Sequence, residues 1–176
     1  MRVALTVALA IAPTCLLAGQ GPAVGAMAPD WTLTVASREG VAAQPLTLSS
    51  LRGQPVVIAF FPRARTRGCT IQMETYRDRF DELFGKDVAL IAISNDSASV
   101  LASWAADAGF PFRFAADVDG VAGRLYGTLR EGRSSEDRVL FVLDAEGRVT
   151  TVMRPFREID PTAYDELKAA VQAARR

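Results

Sequence analysis

The chain alternates between unbroken apolar runs and stretches in which apolar residues recur at helical spacing. Val56-Val57-Ile58-Ala59-Phe60-Phe61 is continuous, mostly β-branched or aromatic, and bounded by Pro55 and Pro62. Such a run reads as a strand covered on both faces. Val88 to Ile93 and Val139 to Leu143 read as two more buried strands. Between the first two, Ile71, Met73, Tyr76, Phe80, Leu83 and Phe84 fall near helical period. That spacing predicts one helix from about Gly68 to Phe84, ended by Gly85. Ser97 is placed to cap a helix through Val100, Leu101 and Trp104 that stops at Gly109. Phe112 to Ala115 predicts a short strand, Asp117-Val118-Asp119-Gly120 a turn, and Val121 to Tyr126 a short helix. Asp144-Ala145-Glu146-Gly147 is a hairpin signal, with Arg148 to Met153 returning as an antiparallel strand. Asp160-Pro161 pairs a cap with a first-turn proline and opens a last helix to about Ala174. Upstream, Trp31 to Val35 and Leu46 to Leu48 predict a small hairpin.

This order implies an α/β domain with a central mixed sheet and helices on both faces. The first two long strands are joined by a helix and are expected to be parallel; the last two share a tight turn and are expected to be antiparallel. The pattern is thioredoxin-like, with an N-terminal β-hairpin extension. No repeat or linker divides it, so one domain is expected over residues 24–176.

The N-terminus is different. Met1-Arg2 precedes an almost wholly apolar run, Val3 to Gly19, and Gly19-Gln20-Gly21-Pro22 would end any helix. A charged start, an apolar run and small residues describe a secretory signal peptide, expected over residues 1–22, with small residues for cleavage around Ala18 and at Val24-Gly25-Ala26. Export to a periplasmic or extracellular space follows. The run is long enough for a bilayer, but Pro13 interrupts it, so no stable membrane span is expected in the mature form. An uncleaved anchor is the second reading. Cys15 leaves with the leader.

Composition narrows the chemistry. Twenty basic and twenty acidic residues cancel, which removes the bulk electrostatic case for nucleic acid. There is no histidine, which excludes Ser/His/Asp and Cys/His catalysis and imidazole metal sites. No cofactor or metal is expected. Beyond the leader there is one thiol, Cys69.

Cys69 follows the loop Pro62-Arg63-Ala64-Arg65-Thr66-Arg67-Gly68, at the carboxyl end of the first buried strand and the start of a helix. Open α/β sheets bind ligands at that end. A helix N-terminus favours negative charge, Arg63, Arg65 and Arg67 add positive charge, and the Thr66 hydroxyl stands three residues away. All three favour a thiolate, the nucleophilic form. The plainer readings are a buried structural cysteine, a strand-ending proline, a capping threonine and solvated arginines.

The spacing Pro62-x-x-x-Thr66-x-x-Cys69 resembles the P-x-x-x-T-x-x-C motif of peroxiredoxins. Ala28-Pro29-Asp30-Trp31-Thr32-Leu33 resembles that family's A-P-D-F-x-L opening, and Leu48-Ser49-Ser50-Leu51-Arg52-Gly53 its following segment. Arg77-Asp78, Asp117-Val118-Asp119-Gly120 and Arg138 before the strand Val139 to Leu143 resemble the bacterioferritin-comigratory, or peroxiredoxin Q, branch. The likeness spans roughly residues 24 to 172. It implies a thiol-dependent peroxidase in which Cys69 attacks the O–O bond of hydrogen peroxide or an organic hydroperoxide and becomes a sulfenic acid. It further implies that Thr66 hydrogen-bonds the peroxide, Pro62 shields the pocket, and Arg138 stabilises thiolate and developing oxyanion.

Two departures stand out. The resolving cysteine of the two-cysteine pattern, five residues on, is Glu74, and no cysteine lies downstream. An external thiol, from a thioredoxin-like protein, a small thiol or a second subunit of a homodimer, must then regenerate Cys69. Where the family usually carries Glu three residues after the cysteine, this chain has Gln72. Two rival readings remain: a monothiol thioredoxin-fold redox protein of the cell envelope, and an inert redoxin-like binding module. Thr66 stands where a Cys-x-x-Cys motif would need its first cysteine, which argues against a dithiol reductase.

Overall fold

The computed structural model describes residues 21–175. The expected leader, with Cys15, lies outside them apart from Gly21 and Pro22.

Eight strands form one sheet. They are β1 (Thr32–Ser37), β2 (Gly40–Val41), β3 (Leu46–Thr47), β4 (Val56–Phe60), β5 (Ala89–Ser94), β6 (Arg113–Ala116), β7 (Val139–Leu143) and β8 (Val149–Met153). Their order is β2-β1-β6-β5-β4-β7-β8, with β3 also pairing β1. β4 and β5 are parallel, and β7 and β8 antiparallel, as the connection lengths require. The expected hairpin exists, since Thr32 pairs with Thr47 and Leu33 with Leu46. It is more than an extension, however. β1 also pairs antiparallel with β6, so the N-terminal strand joins the main sheet.

Period-two alternation sorts the strand side chains into two cores. Val57, Ala59, Phe61, Leu90, Ala92, Leu140 and Val142 face one side. Helices α1 (Arg67–Asp78), α2 (Phe80–Leu83), α3 (Ala98–Ala108) and α5 (Pro161–Ala174) cover that side. Ile58, Phe60, Ile91, Ile93, Val139 and Phe141 face the other, under α4 (Val121–Leu125) and a 3-10 turn at Leu48–Leu51. Helices thus lie on both faces, with the larger layer on the face that holds Cys69.

The helix predicted over residues 68–84 is two helices. Arg79, at φ −111° and ψ 23°, leaves helical geometry and separates α1 from α2. The apolar period survives the break because both pieces face one core, where the tilted rings of Phe80 and Phe84 meet with centres 5.3 Å apart. Arg79 is held outward by Glu82 at 2.8 Å and Asp165 of α5 at 3.1 Å. The expected caps are present: Ser97 Oγ accepts from the Val100 N–H, and Asp160 Oδ1 from the Thr162 N–H, with Pro161 in the first turn.

The segment before β1 is tied to the hairpin between β7 and β8. The Gly25 N–H donates to the Val149 carbonyl at 2.8 Å, the Val149 N–H to Ala26 at 2.9 Å and the Ala28 N–H to Gly147 at 3.0 Å. Pro22 is buried. No helix among the described residues is long and apolar enough to cross a membrane.

Candidate active site at the carboxyl end of the sheet

Strand β4 ends at Phe60, and Phe61 still donates its N–H to the Ile93 carbonyl of β5 at 3.0 Å. Pro62 then leaves the sheet, half-buried, and starts the loop to α1. Two contacts hold that loop. Asp96, after β5, accepts the Ala64 N–H at 2.7 Å. Arg65 reaches across to α3, meeting Asp107 at 2.5 Å and Ser103 at 3.0 Å. Arg65 adopts φ 62°, a left-handed conformation unfavourable for a side chain with Cβ. Its contacts to α3 hold it there. The charge expected beside Cys69 from Arg65 is therefore turned away and paired. Arg63 and Arg67 are exposed and have no ion-pair partner among the described residues.

Thr66 occupies the N-cap position of α1 without a side-chain capping bond. Its hydroxyl donates instead to the Arg63 carbonyl at 3.0 Å. Cys69, the third helical residue, is wholly buried and shares its cluster with Phe61, Ala64, Met73 and Tyr76. It is the free cysteine of the described residues.

Arg138 comes from far along the chain, and the sheet register delivers it. Phe60 pairs with Val139 across the antiparallel β4–β7 ladder. One step further sets Arg138 beside Phe61, at the end from which the cysteine loop departs. Its guanidinium has three partners. Nη2 donates to Cys69 Sγ at 3.5 Å, Nη1 donates to Gln72 Oε1, and Nε pairs with Glu158 Oε2 at 3.1 Å. Gln72 is itself fully buried, and its Nε2 donates to the Tyr76 hydroxyl at 2.9 Å. Burial pushes the Tyr76 phenol well above its usual range, so it stays neutral. A neutral amide at position 72 can satisfy both neighbours, accepting from Arg138 and donating to Tyr76, where a carboxylate could only accept.

Of the four residues singled out in the sequence, the fold brings Cys69 and Arg138 into contact and places Pro62 and Thr66 on the connecting loop. The sequence reading noted Gln72 as a departure from the family pattern without giving it a role, and it missed Tyr76 and Glu158 as participants. Gln72 and Tyr76 are separated by four residues, a spacing that puts side chains together on a helix and was there to be read. Glu158, between β8 and α5, carried no sequence signal.

The approach to Arg138 contains a second buried polar group. Glu136 is 1 % exposed, and its Oε2 accepts from the Thr128 hydroxyl at 2.5 Å. Its Oε1 has no hydrogen-bond partner among the described residues, and Gly123 packs so closely that any Cβ there would collide with the carboxyl. Asp117, also buried, accepts the N–H groups of Ala122 and Gly123, and Asn95 donates to the Asp117 carbonyl. Burial first, and the Asp117 charge after it, push Glu136 up to about 7. Between pH 4.5, the ordinary value, and about 7 the folded protein keeps a proton that the unfolded chain has released. Stability falls as pH rises through that window, by up to about 1.4 kcal/mol per pH unit, and this group adds no further change above it. Urea unfolding of parent and Glu136→Gln across the window is expected to show the slope in the parent and a flatter profile in the variant; equal slopes would refute the assignment.

Comparison with known proteins agrees with this geometry. The AhpC/TSA family matches residues 24–152. Alkyl hydroperoxide reductase E of Mycobacterium tuberculosis is 32% identical over 155 residues, covering 85% of this chain and 98% of that protein. Peroxiredoxin Bcp of Escherichia coli is 30% identical over 139 residues, 76% of this chain and 86% of the relative. The crystal structure of peroxidoxin BcpB from Mycobacterium tuberculosis superposes with a TM-score of 0.75 at 26% identity, over 88% of this chain and 99% of that one. A buried thiol at the N-terminus of a helix, met by a guanidinium from the neighbouring strand of a thioredoxin-like sheet, thus coincides with relatedness over most of the chain: the protein belongs to the AhpC/TSA family and is a thiol-dependent peroxidase of the peroxiredoxin type.

Proposed function

We propose that Cys69 is the peroxidatic nucleophile and that an external thiol regenerates it. The observation that carries this reading is the Arg138 Nη2 to Cys69 Sγ contact at 3.5 Å, inside a cluster otherwise apolar around the sulfur. The Cys69 thiolate attacks the terminal oxygen of a hydroperoxide. An S–O bond forms, the O–O bond breaks, sulfur is oxidised by two electrons, and the leaving oxygen departs as alkoxide or hydroxide and takes up a proton. Arg138 meets the charge first on sulfur and then on the leaving oxygen, in a site where water does not compete. Thr66, at the N-cap of α1, has oxygen lone pairs beyond its bond to Arg63 and orients the hydroperoxide; Pro62, half-buried on the same loop, takes the shielding role that the family resemblance implies.

Glu74 stands where a resolving thiol would be needed, so the sulfenic acid passes to a thiol from outside the chain. That thiol forms a mixed disulfide with Cys69 and releases water, and a second thiol reduces it. Equimolar hydrogen peroxide is expected to add one oxygen atom to the intact protein, at Cys69. A dimedone-type reagent would trap it there, and added thiol would convert it to a mixed disulfide. Oxygen found only on methionine would refute the reading.

We further propose export, with leader removal upstream of Gly21. Cleavage after Ala26 would cut away the strand-like pairing of Gly25 and Ala26 with Val149, whereas cleavage near Ala18 leaves it intact. N-terminal sequencing of the secreted protein tests this; a first residue after Gly21 would refute it.

A further inference from the structure

We infer that Glu158 is a positioning residue for the peroxidase reaction: its carboxylate grips Arg138 Nε and so aims Nη2 at the Cys69 sulfur. The inference rests on the assignment of Cys69 as nucleophile and adds a residue to it.

Four observations converge on Glu158. The Glu158 Oε2 to Arg138 Nε distance is 3.1 Å, and both side chains are largely shielded, at 23% and 12% exposure. An ion pair so placed is less screened than one on the surface. The backbone joins the same two segments, because the Phe156 N–H donates to the Arg138 carbonyl at 3.0 Å. Glu158 is fixed from its other side by the Tyr164 hydroxyl of α5, which donates to the Glu158 carbonyl at 2.8 Å. Finally, Gly68, next to Cys69, leaves the space the pair occupies. A Cβ at Gly68 would lie 2.5 Å from Glu158 Oε1 and 3.1 Å from Arg138 Nη2. The start of α1 is built around the Arg138–Glu158 pair.

The physical role follows from the shape of the guanidinium. Its planar fork turns as a unit, so holding Nε and Nη1 determines where Nη2 points. Gln72 holds Nη1 and Glu158 holds Nε. Without Glu158 the fork can swivel about its remaining contact. The charge of Glu158 by itself works against a thiolate, so its help to Cys69 comes through the orientation of Arg138. An amide oxygen of the same reach can accept from Nε–H, so Glu158→Gln is expected to keep the aim.

The test compares parent, Glu158→Gln and Glu158→Ala by two readouts. One is the second-order rate of Cys69 oxidation by hydrogen peroxide. The other is the pH titration of the Cys69 thiolate by ultraviolet absorbance, taken as the difference from Cys69→Ser. Glu158→Ala is expected to slow oxidation about 10- to 100-fold and to move the titration midpoint to higher pH, the lost aim of Arg138 outweighing the removal of one negative charge. Glu158→Gln is expected to stay within about threefold of the parent in rate, because an amide oxygen of the same reach can accept from Nε–H. Thermal melting of all three establishes that they are folded. A titration midpoint in Glu158→Ala that stays in place or moves to lower pH, or equal losses in both variants, overturns the inference. If the parent itself fails to consume peroxide, the peroxidase reading fails instead, and the titration still decides whether Glu158 aims Arg138 at the sulfur.

Discussion

Cys69→Ser is expected to fold as the parent does and to consume no hydroperoxide above the assay background, a loss of at least about 10³-fold. The substitution exchanges sulfur for oxygen at a fully buried position, so volume changes little. The new hydroxyl lies within reach of Arg138 Nη2, which already meets the side chain at this position. Burying a hydroxyl with a donor at hand costs about 1 kcal/mol or less, too little to unfold a domain with two extensive apolar clusters. The chemistry does not survive, because serine offers no thiolate and the chain has no histidine to activate its hydroxyl. Hydroperoxide consumption in the presence of a thiol, set beside circular dichroism and melting, separates loss of chemistry from loss of fold. Turnover equal to the parent's would remove Cys69 from the reaction.

The second large effect is at Arg138. Arg138→Ala is expected to slow Cys69 oxidation by roughly 10²-fold or more, the usual consequence of deleting one preorganised donor to a developing anion. It is also expected to lower stability by about 1–3 kcal/mol. The stability loss has a named origin, since Gln72 Oε1 is left buried without its donor and the half-buried Glu158 carboxylate without its cation. Arg138→Lys separates charge from shape. A lysine ammonium restores the charge but cannot serve Cys69, Gln72 and Glu158 together from three separate nitrogens. Its oxidation rate is expected nearer the alanine variant than the parent. Stopped-flow oxidation and urea unfolding, measured on both variants, read the two effects apart. A lysine variant as fast as the parent would show that charge alone suffices; an alanine variant as fast as the parent would remove Arg138 from the mechanism.

Local physics made much of the fold legible before any coordinates. The apolar runs at Val56–Phe61 and Val139–Leu143 form strands buried on both faces, because no polar residue interrupts either face. Ser97 and Asp160 cap helices because their side-chain oxygens serve N–H groups that every helix start leaves free. The family motif located Cys69, Thr66 and Pro62, since all three lie within one strand–loop–helix turn. Arg138 was named from resemblance, and its arrival at Cys69 depends on the antiparallel register of β7 against β4. The break at Arg79 escaped because periodicity reports which face is buried, and that face is shared by α1 and α2.

By itself, the order of residues along the chain determined most of the elements, the caps at Ser97 and Asp160, the parallel or antiparallel sense of the long strands, and the candidate thiol. Each of these depends on interactions within a few residues or on the length of a connection. Tertiary structure decided which charges reach the sulfur. Arg65, four residues from Cys69 in sequence, turns away to Asp107, whereas Arg138, distant along the chain, meets Cys69 and is itself paired with Glu158. It also decided that β1 joins the sheet beside β6, and that Glu136 is buried with one oxygen left without a hydrogen-bond partner among the described residues. Electrostatics acts through distance in space and through exclusion of water, and neither quantity exists until the chain has folded.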